Sequence, residues 1–172
     1  MKEITLTNSD FKGIIDDEDY ERVSKYKWFL VKGKCTNYIQ STKRIQGKTK
    51  SLHRFIMKET NPKIDTDHKN RNGLDNRKIN LRQATNTQNQ LNKKKPKNNT
   101  SGFKGVIKRG NKWVAQIRIN KKNTYLGSFS TKEEAATIYD LVALYYYPEF
   151  AYVNFESSRK LEPLSIQDIK RK

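Results

Sequence analysis

The polar stretch LNKKKPKNNTSG, residues 91–102, divides the sequence into a front and a back part. It is basic, and its proline and glycine are typical of a connecting segment. A chain of 172 residues divided at this place must build two small hydrophobic cores. The sequence therefore predicts a first domain at residues 1–92, a basic linker at 93–100, a second domain at 101–155 and a tail at 156–172.

Positive charge is concentrated in one third of the sequence. Residues 76–132 contribute +15 of the formal net charge of +18, and they contain no acidic residue. A lysine-rich surface that served only solubility would be interspersed with acids, so a segment of a single sign indicates a polyanionic partner. Nucleic acid is favoured over a membrane surface, because the segment contains no basic amphipathic helix.

Cysteine content and hydropathy exclude several classes of protein. Cys35 is the only cysteine, which excludes an internal disulfide framework and a cysteine-rich zinc site. No apolar run approaches the ~18 residues needed to span a membrane, and the N-terminal residues lack the apolar core of a secretory signal. Aromatic residues make up 10%, too many for a disordered chain. We expect a soluble, cytoplasmic protein.

The first fifty residues are predicted to form a scaffold for the residues that follow. We find no candidate catalytic residue before Ser51. DDEDYERV predicts a short helix, since carboxylates suit the positive N-terminal end. YKWFLV and TNYIQST predict two strands around the turn KGK. Trp28 and Phe29 are expected in the core.

The sequence of the second domain predicts a small sheet. GFKGVIKRG, KWVAQIRIN and NTYLGSF are short segments separated by turn residues, which indicates a three-stranded antiparallel meander. One face of the central strand is apolar and carries Trp113, Ala115, Ile117 and Ile119. The other face carries Gln116, Arg118 and Asn120, together with Val114.

A helix is predicted to follow the sheet at STKEEAATIYDLVALYYY. Ser130 and Glu133 form a capping box, and Thr131 with Glu134 offers a second register. Small alanines recur at helical spacing, so the helix can pack closely on the apolar face of the sheet. The basic face then stays free to read nucleic acid.

Residues 101–155 resemble the Apetala-type, or ethylene-response-factor, DNA-binding domain. The resemblance rests on FKGV, KWVAQIR, YLGSF, EEAATIYDLVAL and a final NF, in this order. It implies that the sheet enters the major groove of DNA. The implied DNA-contact positions are Lys104, Ile107, Arg109, Gln116, Arg118, Asn123 and Tyr125. Three of these positions depart from the arginine of the family, namely Lys104, Ile107 and Asn123. The recognition sequence of the plant proteins is therefore not implied.

The end of the first domain carries the residues with catalytic potential. Asp67 and His68 are adjacent in KIDTDH, a predicted strand in which neighbouring side chains point to opposite faces. Thr85 and Gln88 form a predicted capping box, which places Asn89 in the first turns of a helix. Oxygen ligands from Asp67 and Asn89 suit Mg²⁺, whereas zinc would want more nitrogen or sulfur ligands.

LHRFIM and the following IDTDHKNRNGLDNRKINLRQATNTQNQLN resemble the HNH nuclease motif of phage-type homing endonucleases, which have asparagine at the third position. The motif residues are His68, Asn80 and Asn89. The resemblance implies that His68 is the general base that activates water and that Asn80 braces the loop and helps to orient the histidine. It also implies that Asp67 and Asn89 bind one catalytic divalent ion, Mg²⁺ or Mn²⁺.

Other polar residues near the motif have simpler expected roles. Candidate phosphate contacts are Arg54, Lys69, Arg71, Arg77 and Arg82. The asparagines expected only to form turns are Asn70, Asn72 and Asn76. For His53, packing or a phosphate contact is favoured over a role as a second base, because it lacks an adjacent carboxylate.

These interpretations predict an α+β protein in which a ββα-metal HNH nuclease module precedes a small three-stranded antiparallel sheet packed on one helix. The predicted activity is site-specific, homing-type cleavage of double-stranded DNA by a monomer, with nicking favoured because one active site cuts one strand per visit. The expected setting is a bacterial or phage-infected cell. Two alternatives stay open: a DNA-binding transcriptional regulator with a non-cleaving HNH region, and an RNA-binding protein of the ribosomal type.

Overall fold

The computed structural model describes residues 1–33, 36–45, 47–96 and 98–170, so Cys35 and part of the predicted KGK turn lie outside the described residues. The chain forms two compact units, Met1–Asn89 and Gln90–Lys172. The division falls within a helix, slightly before the boundary predicted at residue 92. Both units are mixtures of small antiparallel sheets and helices, which confirms the α+β class. In the described part of the chain, no helix has the length and apolar character needed to cross a membrane.

The first unit contains three two-stranded antiparallel sheets, pairing β1 with β2, β3 with β4 and β5 with β6. Its elements are β1 (Lys2–Leu6), β2 (Ser9–Ile15), α1 (Asp17–Ser24), β3 (Trp28–Lys32), β4 (Asn37–Ser41), α2 (Leu52–Ile56), β5 (Asp65–His68), a 3-10 turn (Lys78–Asn80), β6 (Leu81–Ala84) and α3 (Asn86–Asn92). The predicted helix in DDEDYERV and the strands in YKWFLV and TNYIQST are confirmed.

The core of the first unit forms around Trp28, which is buried and whose indole donates a hydrogen bond to the carbonyl of Val23 at 2.9 Å. Ile15, Ile39 and Leu52 complete the centre of this core. Phe29 is only half-buried, because adjacent side chains of a strand point to opposite faces and Trp28 occupies the inner one.

The capping box predicted from Thr85 and Gln88 is confirmed at the start of α3. The Gln88 backbone N–H donates to Thr85 Oγ1 at 3.3 Å, and the Thr85 N–H donates to Gln88 Oε1 at 2.8 Å. Together with β5 and β6, α3 completes a strand–loop–strand–helix succession in which Asp67 pairs with Arg82 and His68 with Leu81 across the two strands. This succession holds the motif residues.

The second unit is a meander with strand order β7–β8–β9, as predicted. Its elements are β7 (Val106–Arg109), β8 (Lys112–Ile119), β9 (Lys122–Phe129), α4 (Lys132–Tyr146), a 3-10 turn (Glu156–Lys160) and α5 (Ile166–Lys170). The capping box of α4 uses the second predicted register. Glu134 N–H donates to Thr131 Oγ1 at 3.2 Å, and Thr131 N–H donates to Glu134 Oε2 at 3.1 Å.

The core of the second unit lies between the sheet and α4. Ala135, Ala136 and Ala143 are fully buried, so the helix approaches the sheet closely. At Gly105, with φ +76°, a Cβ atom would lie 2.0 Å from the Tyr139 ring. Only glycine therefore fits under that ring.

The face of the sheet opposite α4 is predicted to be free, but Val114 on this face is buried. It lies on the central strand, and its cross-strand neighbours are Ile107 on β7 and Ser128 on β9. These neighbours flank Val114 on both sides, whereas the edges of the same face remain open to solvent.

The residues predicted as a tail belong to the second unit. Leu164, Ile166 and Ile169 pack against its core. The fully buried Asp140 of α4 accepts hydrogen bonds from the backbone N–H groups of Asn154 at 2.7 Å and Phe155 at 2.9 Å. One carboxylate therefore anchors the chain that leaves the helix.

Asp140→Asn is expected to lower the free energy of unfolding of the second unit by about 1–3 kcal/mol. An amide has one acceptor oxygen, so its NH₂ group would face a buried donor that the carboxylate now satisfies. Urea denaturation followed by the fluorescence of Trp113 measures the change. Glu162→Gln, on an exposed residue, is the matched control and should leave stability unchanged. Equal stability of the two variants would contradict the anchoring role.

Candidate active site

His68 is held at the end of β5 by a buried asparagine. Its Nε2 atom lies 3.2 Å from Asn76 Oδ1, and both side chains are buried. The Asn76 Nδ2 group donates to the Gly73 carbonyl at 3.2 Å, so the amide oxygen faces the imidazole. A carbonyl oxygen only accepts, so Nε2 carries the proton. In the neutral ring, Nδ1 then has the lone pair and is the basic nitrogen.

Two rings pack against the His68 imidazole. The His53 ring lies edge-to-face at 5.1 Å between centroids, and the Tyr38 ring lies tilted at 6.1 Å. Burial lowers the pKa of His68 below its ordinary value, and it outweighs the hydrogen bond with Asn76 and the charges of Asp67 and Asp75, which raise this pKa. The imidazole is therefore neutral at pH 7, which is the form a general base requires.

The packing role predicted for His53 agrees with its position. Its Nδ1 atom is buried and has no hydrogen-bond partner among the residues that the structure describes. Burial, with the nearby charge of His68 as a smaller cause, lowers the pKa of His53 to about 3. A neutral ring against His68 adds no positive charge to the site at physiological pH.

His53→Gln is expected to flatten the pH dependence of stability. In the unfolded chain a histidine titrates near ~6.5, so between that pH and about 3 the unfolded state binds more protons than the folded state. The stabilisation is complete above ~6.5 and is lost as the pH falls. Urea unfolding from pH 4 to 7 should show a slope about 1.4 kcal/mol per pH unit shallower in the variant. Parallel curves would show that His53 is not buried in its neutral form.

The loop between β5 and β6 contains asparagines of three kinds. Asn70 and Asn72 form the expected turns, since their Oδ1 atoms accept from the N–H groups two residues ahead at 2.8 and 3.1 Å. Asn80 braces the loop, because its Nδ2 donates to the Asp75 carbonyl at 2.7 Å and its Oδ1 accepts from Asn70 N–H at 2.9 Å.

The prediction that Asn76 only forms a turn is wrong, because it contacts His68 directly. Its backbone N–H donates to the carbonyl of Ile14 on β2 at 2.7 Å, which draws the residue into the interior. Nothing local in the sequence separates Asn76 from the other asparagines. Its role arises from a contact with a strand about sixty residues earlier.

The first fifty residues position the loop, as the scaffold prediction requires. Ile14 N–H donates to the Leu74 carbonyl at 2.8 Å, and Thr36 Oγ1 accepts from Gly73 N–H at 3.1 Å. A Cβ atom at Gly73 would lie 2.2 Å from the Asn37 carbonyl oxygen. The loop therefore packs against backbone from both hairpins, and Tyr38 from the second hairpin reaches the histidines.

The predicted metal ligands, Asp67 and Asn89, lie near a second carboxylate, that of Asp65. Asn89 Nδ2 donates to Asp65 Oδ2 at 3.3 Å. Asp65 and Asp67 are two residues apart on β5 and so project from the same face. These hard oxygen donors match the preference of Mg²⁺. Sequence reasoning missed Asp65, although its spacing from Asp67 on a predicted strand was a usable signal.

Asp67 also has a strong internal partner. Its side chain is 6% exposed, and Oδ2 accepts from Arg82 Nη2 at 2.7 Å and from Nε at 2.9 Å. The pair joins opposite positions of β5 and β6. Arg82 therefore neutralises the carboxylate, and its predicted phosphate contact stays a prediction.

A separate acidic cluster lies at the start of α1. Ligand oxygens of Asp16, Glu18 and Asp19 lie within 4.8 Å of one another. The ammonium group of Lys78 pairs with Glu18 and Asp19, and Arg22 pairs with Asp19 at 2.5 Å. Cations of the chain pair with Glu18 and Asp19, and Asp16 accepts a hydrogen bond from the Lys78 backbone N–H, so we assign the cluster a structural role.

Two more arginines predicted to contact phosphate have internal partners. Arg77 forms a bidentate pair with Asp75 at 2.7 Å for both bonds. Arg54 donates to the carbonyls of Ile64 and Asn61 at 2.9 and 3.0 Å. Both guanidinium groups primarily stabilise loops. Lys69 and Arg71 are exposed in the β5–β6 loop.

The open face of the second unit carries most of its predicted contacts. Arg109 and Arg118 are exposed, Tyr125 is 60% exposed, and Gln116 is half-buried. Lys104 is the exception. Its ammonium donates to the carbonyls of Gln90, Leu91 and Lys93, which end α3. The Lys104 ammonium therefore caps this helix in the structure, and its contact with DNA stays a prediction.

Comparison with known proteins finds a nuclease that is similar to this chain over most of its length. An HNH endonuclease of Acanthamoeba polyphaga mimivirus is 38% identical over 139 residues, which are 77% of this chain and 68% of that protein. The chain belongs to the HNH endonuclease family, and the predicted resemblance is confirmed. No family model matches the chain.

Plant transcription factors are similar to a shorter part of the chain. Dehydration-responsive element-binding protein 2A of Arabidopsis thaliana is 40% identical over 73 residues, 41% of this chain and 22% of that protein. An ethylene-responsive transcription factor-like protein of the same plant is 46% identical over 41 residues, 24% of this chain and 18% of that protein. The chain thus spans about a fifth of these relatives. The predicted ethylene-response-factor resemblance is also confirmed.

Proposed function

We propose that this protein is a metal-dependent, site-specific DNA endonuclease of the homing type, in which β5, β6 and α3 form a ββα-metal module. The observation that carries the proposal is the His68–Asn76 pair. It leaves a neutral imidazole with its proton on Nε2 and its lone pair on Nδ1. The pair holds the imidazole in one tautomer and one orientation, as a general base requires.

In the proposed reaction, His68 Nδ1 removes a proton from a water molecule. The resulting hydroxide attacks the phosphorus atom of a phosphodiester, and the 3′ oxygen leaves on the opposite side and takes a proton from solvent water. The products have 5′-phosphate and 3′-hydroxyl ends. Asn76 keeps the imidazole in the reactive tautomer, and Asn80 keeps the loop that carries Asn76 in place.

We propose that Asp67 and Asn89 hold one Mg²⁺ or Mn²⁺ ion, with Asp65 as an additional oxygen donor on the same face of β5. When bound, the ion supplies charge that stabilises the leaving oxygen. Arg82 competes for the Asp67 carboxylate, so metal binding involves release or sharing of that ion pair.

We propose that the open face of the second unit binds duplex DNA through Arg109, Gln116, Arg118 and Tyr125. Names of the plant relatives describe transcription factors and element-binding proteins, which supports a DNA-binding role for this unit. Arg71 and Lys69, exposed in the β5–β6 loop, are the proposed phosphate contacts beside His68. With one active site per chain, a monomer would nick its substrate.

The test is cleavage of supercoiled plasmid DNA. A His68→Ala protein first selects binding sites from a random duplex library, and the selected site is cloned into the plasmid. Wild-type protein should convert the plasmid to the open-circular form with Mg²⁺ and not with EDTA. If the first product is linear, the protein cleaves both strands, and the prediction of nicking is wrong. Wild-type protein that binds the plasmid and leaves it intact would contradict the nuclease proposal.

That last outcome would support the competing function, a DNA-binding regulator whose HNH region is structural. The similarity to plant transcription factors favours this alternative. Competition between duplex DNA and structured RNA at one stated salt concentration separates both proposals from an RNA-binding function.

A further inference from the structure

A basic groove with an aromatic wall lies on the first unit, outside the site around His68. It has a volume of about 520 Å³, within the range of small-ligand pockets. Five of its lining residues are cationic, Arg22, Arg44, Lys50, Arg54 and Lys58, and Glu59 is the only acidic one among the described lining residues. The groove therefore favours an anion.

Three of these cations have no hydrogen-bonded or ionic side-chain partner among the described residues, namely Arg44, Lys50 and Lys58. Arg44 and Lys58 are exposed and Lys50 is half-buried. Arg22 and Arg54 donate to backbone carbonyls and also pair with Asp19 and Asp65, so the charge available to a ligand comes from the other three cations. Three available cations around one concave surface match successive phosphates better than a single small anion.

The aromatic wall is rigid and partly accessible. Tyr26 is 37% exposed, and its ring packs edge-to-face on Phe55 at 5.5 Å between centroids. Trp28, which is buried, supports both rings, at 6.4 Å from Tyr26 and 5.5 Å from Phe55. An exposed ring held on a buried base is a stacking platform, and stacking on aromatic side chains is how proteins bind unpaired bases.

We infer that this groove binds a single-stranded segment of DNA, with one base against Tyr26 and flanking phosphates on Arg44, Lys50 and Lys58. A base within a duplex is stacked on both faces, so only an unpaired base can present its face to this ring. Arg54 lines the groove and lies 3.8 Å from Asp65 of β5, so the groove adjoins the proposed cleavage site. The inference rests on the proposed function in naming DNA as the ligand.

The experiment uses the full chain carrying His68→Ala, in EDTA, so that its result does not depend on cleavage. An oligo(dT) strand that contains 5-iododeoxyuridine is bound and irradiated, and cross-linked peptides are identified by mass spectrometry. Cross-links at Tyr26 or Phe55 are expected. Cross-links confined to residues of the second unit would overturn the inference, whatever the outcome of the plasmid assay.

Charge variants test the phosphate contacts. The triple variant Arg44→Gln, Lys50→Gln, Lys58→Gln should lose the Tyr26 cross-link and reduce the slope of log affinity against log salt by about 2. The matched control removes three exposed charges elsewhere on the unit, as Lys12→Gln, Lys32→Gln, Lys63→Gln, and should retain the cross-link. Equal loss in both triple variants would overturn the site, since it would reflect net charge alone.

Ring variants test the stacking platform. Tyr26→Ala should weaken oligo(dT) binding by roughly five- to 150-fold, while Tyr26→Phe should bind as wild type. Because Tyr26 packs on Phe55, thermal unfolding checks that each variant is folded, and the charge variants remain informative if Tyr26→Ala is not. Competition by inorganic polyphosphate together with unchanged binding by folded Tyr26→Ala would identify an anion site without base recognition and overturn the inference.

Discussion

Replacing His68 by alanine is expected to slow DNA cleavage by about 10²–10⁴-fold while leaving affinity for DNA unchanged. The buried imidazole is neutral, and the Asn76 oxygen holds the proton on Nε2, so Nδ1 is the site of proton removal. Alanine removes that base and no group that faces DNA in the second unit. Single-turnover cleavage and binding in EDTA should be measured on the same preparation.

Asn76 provides the matched test of tautomer selection. Asn76→Ala removes the oxygen that accepts the Nε2 proton of His68, while His68 itself stays in place. This variant should therefore cleave more slowly. Asn72→Ala, which removes a turn residue that is exposed in the same loop, should cleave at close to the wild-type rate. If His68→Ala cleaves normally, the base assignment fails even though the nuclease proposal survives.

The second large effect concerns stability. Arg82→Ala is expected to lower the free energy of unfolding of the first unit by about 3–5 kcal/mol. Asp67 is buried, and both hydrogen bonds that neutralise its Oδ2 atom come from this guanidinium in the described ion pair. Alanine removes both of these bonds from a buried carboxylate. Urea denaturation with Trp28 fluorescence measures the loss.

Two controls separate this effect from general disruption of the hairpin. Lys25→Ala removes an exposed ion pair with Glu21 and should cost less than about 1 kcal/mol. Adding Asp67→Asn to Arg82→Ala should recover part of the loss, because the buried charge disappears. If Asp67 holds the metal, Mg²⁺ should raise the melting temperature of Arg82→Ala more than that of the wild type. An Arg82→Ala protein as stable as the wild type would contradict the buried pair.

Local patterns predicted the elements reliably where one segment contains the whole signal. The alternation in KWVAQIRIN and the alanine spacing of EEAATIYDLVAL define β8 and α4. The Thr85–Gln88 box defines the start of α3. Each of these depends on residues within one or two turns of each other, so no distant contact was needed to predict it.

Predictions of side-chain roles were less reliable for charged and amide groups. The sequence alone makes three arginines candidate phosphate contacts, namely Arg54, Arg77 and Arg82. In the structure, each also binds carbonyls or a carboxylate of the chain. Lys104 matches a DNA-contact position, and its ammonium also caps a helix. A long cationic side chain reaches many partners, and its spacing in the sequence does not select among them.

The sequence by itself determined the two-part organisation, the concentration of positive charge and the candidate base His68, because these depend on composition and short-range spacing. Only the tertiary structure decided which nitrogen of His68 is basic. That choice depends on Asn76, which is buried because its backbone pairs with Ile14 of β2. A hydrogen bond between segments so distant in the chain follows from the packing of the whole unit, and no local pattern encodes it.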